Sequence, residues 1–276
     1  MISVNYAGRL GNNIFQYCFG RILAEELGYM MNKNLSEFEY AKEVNGLNFN
    51  SPIEVLEGHQ IDLDGIVSNK NPRAIILNGF FQRSEYFIKY KDKINEWLSL
   101  KNKNFKKPNE YDLVVHVRGG DLLNQNPNCN HVPAPLYYYT NIIDSSKYEK
   151  LYIVCESPND IIAKELNSIY PDSEIISQSP IEDYYFINHS KYIVLSLSSL
   201  SWWAAFLSDA KKIYFPMTGF WHPKGERKDV NLLVNEYRYV YCDLGVKDDW
   251  ISSKEQIDSL LIKNKNFEYY TYDQTI

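Results

Sequence analysis

The sequence predicts an α/β protein built from two doubly wound units. Three observations lead there. Short apolar strands alternate with helix-period segments through two regions of the chain. A glycine-containing loop follows the first strand of each region. A charge run holding one proline lies between them. With 276 residues, 45% apolar and 23% charged, there is material for one large domain or two smaller ones, and disordered, collagen-like and mini-protein readings are excluded.

The first region opens with an apolar–polar strand, Ile2 to Tyr6, followed by Gly8-Arg9-Leu10-Gly11-Asn12-Asn13. Ile14, Phe15, Cys18, Phe19, Ile22, Leu23 and Leu27 then recur at helical spacing, and Gly28 stops the pattern. Residues 36 to 73 are weakly patterned. Ala74 to Phe81 reads as a strand and Ser84 to Leu100 as a helix with Ser84 as N-cap. Lys101 to Asn109 is polar enough to be a solvated connection, so the expected domains are 1–105 and 106–276.

Beyond the connection the alternation is cleaner. Strands are expected at Leu113 to Val117, Leu151 to Cys155, Glu174 to Ile176, Tyr192 to Leu197 and Lys212 to Phe215. Helices are expected at Pro135 to Ile143, Asn159 to Tyr170, Ile181 to His189, Ser201 to Asp209 and Ser253 to Leu261. Near-continuous apolar strands separated by helices argue for a parallel sheet covered on both faces. In such sheets ligands lie at the carboxyl ends of the strands, so the residues that follow strands carry the functional argument.

Formal charge is −6, from 29 basic and 35 acidic residues, which leaves no electrostatic footprint for a dedicated nucleic-acid binder. The four cysteines, at 18, 129, 155 and 242, form no CxxC pair, and reduced structural thiols in a cytoplasm are expected. The N-terminus lacks the basic and apolar regions of a signal peptide, and the most apolar stretch, Tyr192 to Leu207, is broken by four serines. The expectation is a soluble protein without a transmembrane segment. The 23 tyrosines suit amphipathic ligands such as sugars, Tyr137 to Tyr139 being the candidates to touch one, and suit an AT-rich genome equally well.

Four segments can carry chemistry. The Gly8–Asn13 loop can present backbone N–H groups to an anion or a hydroxyl, or can be only a tight turn. After the strand at 113–117, Arg118 can fork onto a diphosphate, or can pair with Asp121 to order its own loop, and both can hold together. Ser198, Ser199, Leu200 and Ser201 follow another strand and open a helix whose N-terminus can grip the same diphosphate; ordinary N-capping by Ser199 or Ser201 is expected in either case. Glu182 and Asp183 begin the preceding helix, where a carboxylate can accept from a purine ring or simply favour the helix dipole. Asp62-Leu63-Asp64 could hold a divalent metal, but a turn or strand end is the expected role. His116 and Asp121 adjoin Arg118 and are candidate general bases. Neither is singled out.

Together these segments resemble the alpha-1,2-fucosyltransferases of glycosyltransferase family 11 and, more distantly, other GDP-fucose-using enzymes. Gly8-Arg9-Leu10-Gly11-Asn12 with Phe15-Gln16-Tyr17 is similar to the family's opening motif, and Gly79-Phe80-Phe81-Gln82-Arg83-Ser84-Glu85-Tyr86-Phe87 resembles its "GYFQSEKYF" segment. His116-Val117-Arg118-Gly119-Gly120-Asp121 resembles its H-x-R-R-x-D motif, Leu136 to Tyr139 the Tyr-rich stretch after it, and Asp183 through Leu207 the block that ends in "SSFSWW".

The resemblance implies a GT-B fold of two Rossmann-like domains facing a central cleft, an acceptor-side domain at 1–105 and a nucleotide-sugar domain at 106–276. It implies metal-independent inverting transfer from GDP-fucose to a glycan acceptor, without a cofactor, in surface-polysaccharide or glycoconjugate synthesis. Any membrane association would be peripheral, through a lipid-linked acceptor. Carried over by position, Arg118 contacts the diphosphate, and Gly11 and Asn12 lie near the diphosphate or the acceptor hydroxyl. Asp183 reads the guanine, and Ser198, Ser199 and Leu200 line the phosphate pocket. Gly119 stands where the family usually has a second Arg, Leu200 where it has Phe, and Leu197 where it often has Asn. Two other readings stay open: a related enzyme with another nucleotide-sugar donor, and a non-catalytic sugar- or nucleotide-binding module.

Overall fold

A computed structural model describes all residues except 33–34, 39–50, 124–126, 248 and 276. The chain divides into two compact units, one formed by Met1–Asn104 with Asp229–Val234, the other by Phe105–Lys228 with Asn235–Ile276.

The first unit holds a parallel sheet in the order β1-β3-β2, with β1 at Ile2–Val4, β2 at Ile53–Gly58 and β3 at Ala74–Gly79. Helix α1 (Leu10–Leu27) buries Ile14, Phe15, Cys18, Phe19, Ile22 and Leu23, the stripe its periodicity predicts, and ends at Gly28. Gln16 is an exception within that stripe. Its buried amide accepts from Ala7 N at 3.1 Å and donates to Gly79 O at 2.9 Å and Asn5 O at 3.4 Å, so one side chain joins the ends of β1 and β3. Strand β2 falls in the weakly patterned region because only Leu56 of its six residues is buried. Asp62 stands at the start of a helix and not at a strand end. Its Oδ1 accepts from Gly65 N at 2.9 Å and caps α2 (Leu63–Ser68).

The helix expected from Ser84 starts later. Two 3₁₀ turns, Ser84–Tyr86 and Ile88–Tyr90, precede α3 (Lys91–Trp97). Ser84 lies seven residues before α3 and does not cap it; its hydroxyl donates to Leu233 O and its N–H to Asn231 O. Those bonds, with Asn231 N on Gln82 O and Arg83 on Asp229 O, attach Asp229–Val234 to the first unit. The second unit is therefore not one continuous stretch.

The second unit is built on a seven-stranded sheet. Its strands are β4 (Leu113–Val117), β5 (Leu151–Cys155), β6 (Glu174–Ile176), β7 (Tyr192–Val194), β8 (Lys212–Met217), β9 (Tyr239–Asp243) and β10 (Glu268–Tyr270). Their order is β10-β9-β8-β7-β4-β5-β6, parallel except for β10. Every residue of β4 and β5 is buried, as strands covered on both faces require. Helix α4 (Leu136–Ser145) packs beside α5 (Ile161–Ile169), and α6 (Pro180–Asn188) beside α7 (Ser199–Phe206); α8 (Lys254–Leu260) follows β9.

Tyr137, Tyr138 and Tyr139 belong to this core and not to a sugar-facing surface. All three are buried, and Tyr138 donates its hydroxyl to Leu195 O at 3.0 Å and Tyr214 O at 3.1 Å. Tyr138 faces the sheet, and all three rings bury their apolar area. Among the described residues no helix is long and apolar enough to cross a membrane.

Replacing Gln16 by Met keeps the length of the side chain and leaves three backbone groups without their partner. A loss of about 1–3 kcal/mol is expected, read as a lower urea midpoint with an unchanged slope; an unchanged midpoint would show that the amide does not hold β1 to β3.

Candidate active site

The strand order of the second unit has a reversal at its centre. From β4 the chain winds outward through β5 and β6, and from β7 it winds the other way through β8 and β9. Loops leaving the carboxyl ends of β4 and β7 therefore diverge, and the crevice between them is where ligands bind in open parallel sheets. Two bonds cross it. His116, in β4, shares a 2.6 Å hydrogen bond between its Nδ1 and Ser196 Oγ. Arg118, the first residue after β4, donates from Nη1 to Leu197 O at 3.4 Å.

The remaining edge of the Arg118 guanidinium faces Asp121. Nη2 lies 3.1 Å from Oδ2 and Nε 3.4 Å from Oδ1, so the fork is oriented by a carboxylate three residues away. His116 is buried, and burial followed by the charge of Arg118 lowers its pKa to about 3. A ring so reluctant to take a proton is a poor general base. Its position gives it the task of fixing the Ser196 turn.

The helix after β7 starts differently from the sequence expectation. Ser198 is the N-cap of α7, and no side chain caps the helix. Ser199 lies inside the helix, and Ser201 Oγ donates back to Ser198 O at 3.1 Å. The tight Ser198 N to Ser196 O bond of 2.7 Å sets the turn, so the first-turn N–H groups, Ser199 and Leu200 among them, have no hydroxyl competing for them.

Glu182 and Asp183, adjacent in sequence, have separate tasks. Glu182 accepts from Ser179 N at 3.0 Å and completes a capping box at the start of α6. Asp183 is only 6% exposed, and its Oδ1 has no hydrogen-bond partner. Burial raises its pKa to about 7 against the one bond from Gln178 N that favours the ionised form. Together with burial, the charges of Asp160 and Asp183 push the Cys155 thiol to about 12, which sets both carboxylates near the carboxyl end of β5.

Gly119 is explained by Asp160. The Asp160 Oδ1 accepts from Ile162 N at 2.9 Å and Ala163 N at 3.1 Å to cap α5, while Oδ2 accepts from Gly120 N at 3.4 Å. A Cβ at Gly119 would collide with that second oxygen and lie 2.9 Å from Leu123 Cδ1. A side chain here requires the Asp160 carboxylate, whose other oxygen caps α5, to shift.

His131 was not singled out by sequence because nothing local marks it. Its ring lies 4.4 Å from the Phe220 ring, and burial and the charges of Arg118 and Arg227 lower its pKa to about 4 against the pull of Asp121. Gly11 and Asn12 belong to the first unit, where Asn12 Oδ1 accepts from Gln82 Nε2 at 2.9 Å and Gln82 N donates to His59 Nδ1 at 3.2 Å. Gln82 follows Phe81, whose φ of 53° is a strained conformation for a non-glycine residue.

Residues 54–234, more than half of the chain, match the family described as Glycosyl transferase family 11. The chain belongs to glycosyl transferase family 11. The match contains His116, Arg118, Asp121, Asp183 and Ser198 to Leu200 and excludes Gly11 and Asn12. A relative named alpha-1,2-colitosyltransferase, from Escherichia coli, is 27% identical over 149 residues, 48% of this chain and 50% of that protein. The chain thus spans about half the length of that relative. Among solved structures, a mutant of Arabidopsis thaliana FUT1 in complex with GDP is similar with a TM-score of 0.47 and 11% identity, over 77% of this chain and 70% of that one. NodZ alpha-1,6-fucosyltransferase soaked with GDP-fucose gives 0.45 and 13%, over 77% and 93%.

For this member of family 11, Gly119→Ala is expected to lower stability by about 1–3 kcal/mol through overpacking. Asp160→Ala costs a helix cap of about 1 kcal/mol. Because the second change removes the oxygen that the first collides with, the double variant should lose less than the sum of the two; strict additivity in denaturant titrations would show that Gly119 and Asp160 do not constrain each other.

Proposed function

We propose that the chain is an inverting glycosyltransferase that moves L-fucose from GDP-fucose to a hydroxyl of a glycan acceptor, without a metal, in surface-polysaccharide or glycoconjugate synthesis. The observation that carries this reading is the Arg118 fork at the strand reversal, oriented by Asp121 and bonded to Leu197 O, beside a helix N-terminus that no side chain caps. Family membership supports the class of reaction.

In glycosyl transfer the acceptor oxygen forms a bond to the anomeric carbon as the bond to the diphosphate breaks, and the transition state is oxocarbenium-like. Negative charge grows on the departing diphosphate. In this reading Arg118 and the first-turn N–H groups of α7 receive it, which is supported by three of the four Arg118 bonds being 3.4 Å long, weak enough to be exchanged for phosphate oxygens. Asp183 Oδ1, buried without a partner, suits the ring N–H and amino donors of guanine. With His116 buried and Asp121 engaged by Arg118, the reaction is assigned no dedicated general base, which an open transition state tolerates.

A second reading keeps the same pocket and takes a colitosyl donor. It is supported by the name of the E. coli relative. Transfer assays with both donors and a panel of disaccharide acceptors separate the two, and product linkage follows from the same reactions. A thermal-shift panel of GDP, UDP, CDP and dTDP tests the nucleotide, since a ligand specific for the native state adds about 2.7 kcal/mol at a hundredfold excess over its Kd. A response to UDP and none to GDP overturns the donor. In the transfer assay Arg118→Ala is expected to lower turnover by roughly a hundredfold or more; near-parental transfer overturns its role.

Asp183 predicts a pH dependence with a defined sign. Only the carboxylate accepts from both guanine donors, so guanosine, which carries no titrating phosphate, should bind more tightly as pH rises from 5 to 7 and level off above. The slope approaches tenfold per pH unit below the Asp183 pKa. Asp183→Asn should remove the slope, and an equal slope in that variant would assign it elsewhere.

A further inference from the structure

At the β10 edge of the seven-stranded sheet, where β9 ends and β10 begins, the second unit holds a cavity of about 320 Å³. That volume lies at the lower end of the range for small-molecule sites. Its walls come from three parts of the chain: Tyr137 in the first turn of α4, Asp243 to Gly245 at the end of β9, and Lys265 to Glu268 leading into β10. These parts are tied together. Glu268 pairs with Asp243 in the sheet register, Asn141 Nδ2 donates to Lys265 O at 2.9 Å, and Gly245 N donates to Asp243 Oδ1 at 2.8 Å. The Phe267 ring is lodged among Tyr269, Tyr138 and Tyr137, with ring centres 4.9, 5.9 and 6.3 Å away.

The lining sets one half-buried aromatic ring, Phe267, among polar groups of both signs. Among the described residues the bonds to Asp243 fall on Oδ1 and the bond to Glu268 on Oε2, which leaves each carboxylate a second oxygen. Asn266 is exposed, and Lys265 Nζ lies 5.5 Å from the centre of the Tyr137 ring. Tyr137 is 2% exposed and its ring packs in the core, yet burial is the one influence on its hydroxyl and no described residue bonds to it. Two carboxylates oppose a free anion here, and the ammonium opposes a free cation. A neutral polyhydroxylated ring meets both: its hydroxyls donate to the carboxylates and accept from the amide and the ammonium, while its C–H face lies on Phe267.

The cavity also shares an edge with the Arg118 crevice. Strands β4, β7, β8 and β9 are parallel, so Asp243 ends β9 on the edge where β4 and β7 send out their loops. Three strand spacings separate the two places, roughly 14 Å. The loop after β8 covers the interval: a Cβ at Gly219 would lie 3.2 Å from Leu197 Cδ2, and His222 Nε2 lies 3.2 Å from Asp243 Oδ1.

We propose that this cavity is a second saccharide subsite, which seats a neutral sugar of the acceptor glycan several residues away from the hydroxyl that reacts. Long acceptors are then held at two points and short ones at one. The acceptor role rests on the glycosyltransferase reading of the crevice.

The site is read directly by TROSY NMR of the full chain titrated with lactose, cellobiose, maltose and chitobiose. At least one of these sugars is expected to shift the backbone amides of Gly245, Asn266, Phe267 and Glu268 in a saturable way; no shift there with any of the four overturns the proposal. Phe267→Ala should weaken that binding, and Asn266→Ala, at an exposed side chain, should weaken it roughly two- to tenfold, the scale of one hydrogen bond, and decides the matter if the Phe267 variant does not fold. Parental affinity in the variants that fold overturns the proposal. In the transfer assay the parent should show a lower KM for a hexasaccharide acceptor than for the disaccharide with which it ends, and Asn266→Ala should narrow that ratio severalfold. Equal KM values in the parent, or an unchanged ratio in the variant, overturns the acceptor role. Absence of transfer by the parent from either donor rejects the enzymatic reading instead, and it is told apart by the amide shifts, which need no donor.

Discussion

The bond from Arg118 to the Leu197 carbonyl joins the two loops that the chain sends in opposite directions from the middle of the seven-stranded sheet. Without a tie the ends of β4 and β7 would be held together only by the three-residue register that pairs Leu113–Val115 with Tyr192–Val194. Arg118 supplies one tie and the His116–Ser196 pair supplies another, deeper in the sheet. Everything else at the site is arranged around that pair of ties. Asp121 aims the guanidinium, the Ser196–Ser198 turn starts α7, and Asp160 shapes the glycine pair between Arg118 and Asp121. Exposure of the Arg118–Asp121 pair, 21% and 37% for the two side chains, makes it worth little to folding. Its value lies in orientation.

Asp183 shows the opposite balance. A buried carboxyl with an oxygen left unpaired is unfavourable, and its raised pKa measures that cost. The unfolded chain releases this proton near 3.8, while the folded chain keeps it to about 7, so the native state holds an extra proton across that window and loses stability as pH rises through it. A neighbour shows that the position is not forced by helix initiation. Glu182 already satisfies the N-terminus of α6, at the surface and at little expense. The fold therefore carries Asp183 Oδ1 as one of eight buried side-chain atoms without a hydrogen-bond partner among the described residues, and it is the one of them that lies in the proposed guanine site.

How much of this is legible in sequence depends on how local each cause is. Strands β4 and β5 are plain because burial on both faces demands an unbroken apolar run, and Arg118 is plain because it follows one of them. Strand β2 is hidden because a single inward residue, Leu56, leaves no pattern. Ser84 looks like a cap until Asn231 and Leu233, some 150 positions later, claim its N–H and hydroxyl. Ser199 and Ser201 also look like caps, but the N-cap is Ser198, whose N–H is fixed by the Ser196 carbonyl two residues earlier. Tyr137 to Tyr139 carry rings that suit a sugar or a core equally, and only the direction of α4 decides. Glu182 and Asp183 are equivalent on paper; a rotation of 100° along the helix puts one in water and the other beside β5.

An acidic chain that is to hold an anion meets a problem that net charge does not describe. At physiological ionic strength the screening length is about 8 Å, so the surplus of surface carboxylates is largely invisible from inside the crevice. What counts is the set of charges within that distance. On the β5 side the carboxylates of Asp160 and Glu156 lie against the glycine pair, whereas the Arg118 guanidinium and the start of α7 lie on the other side. His131 is held neutral chiefly by burial, and the charges of Arg118 and Arg227 add to that effect while Asp121 opposes it. The carboxylates that would weaken an anion site thereby mark the glycine face as the acidic one and leave the guanidinium to the opposite face of the crevice.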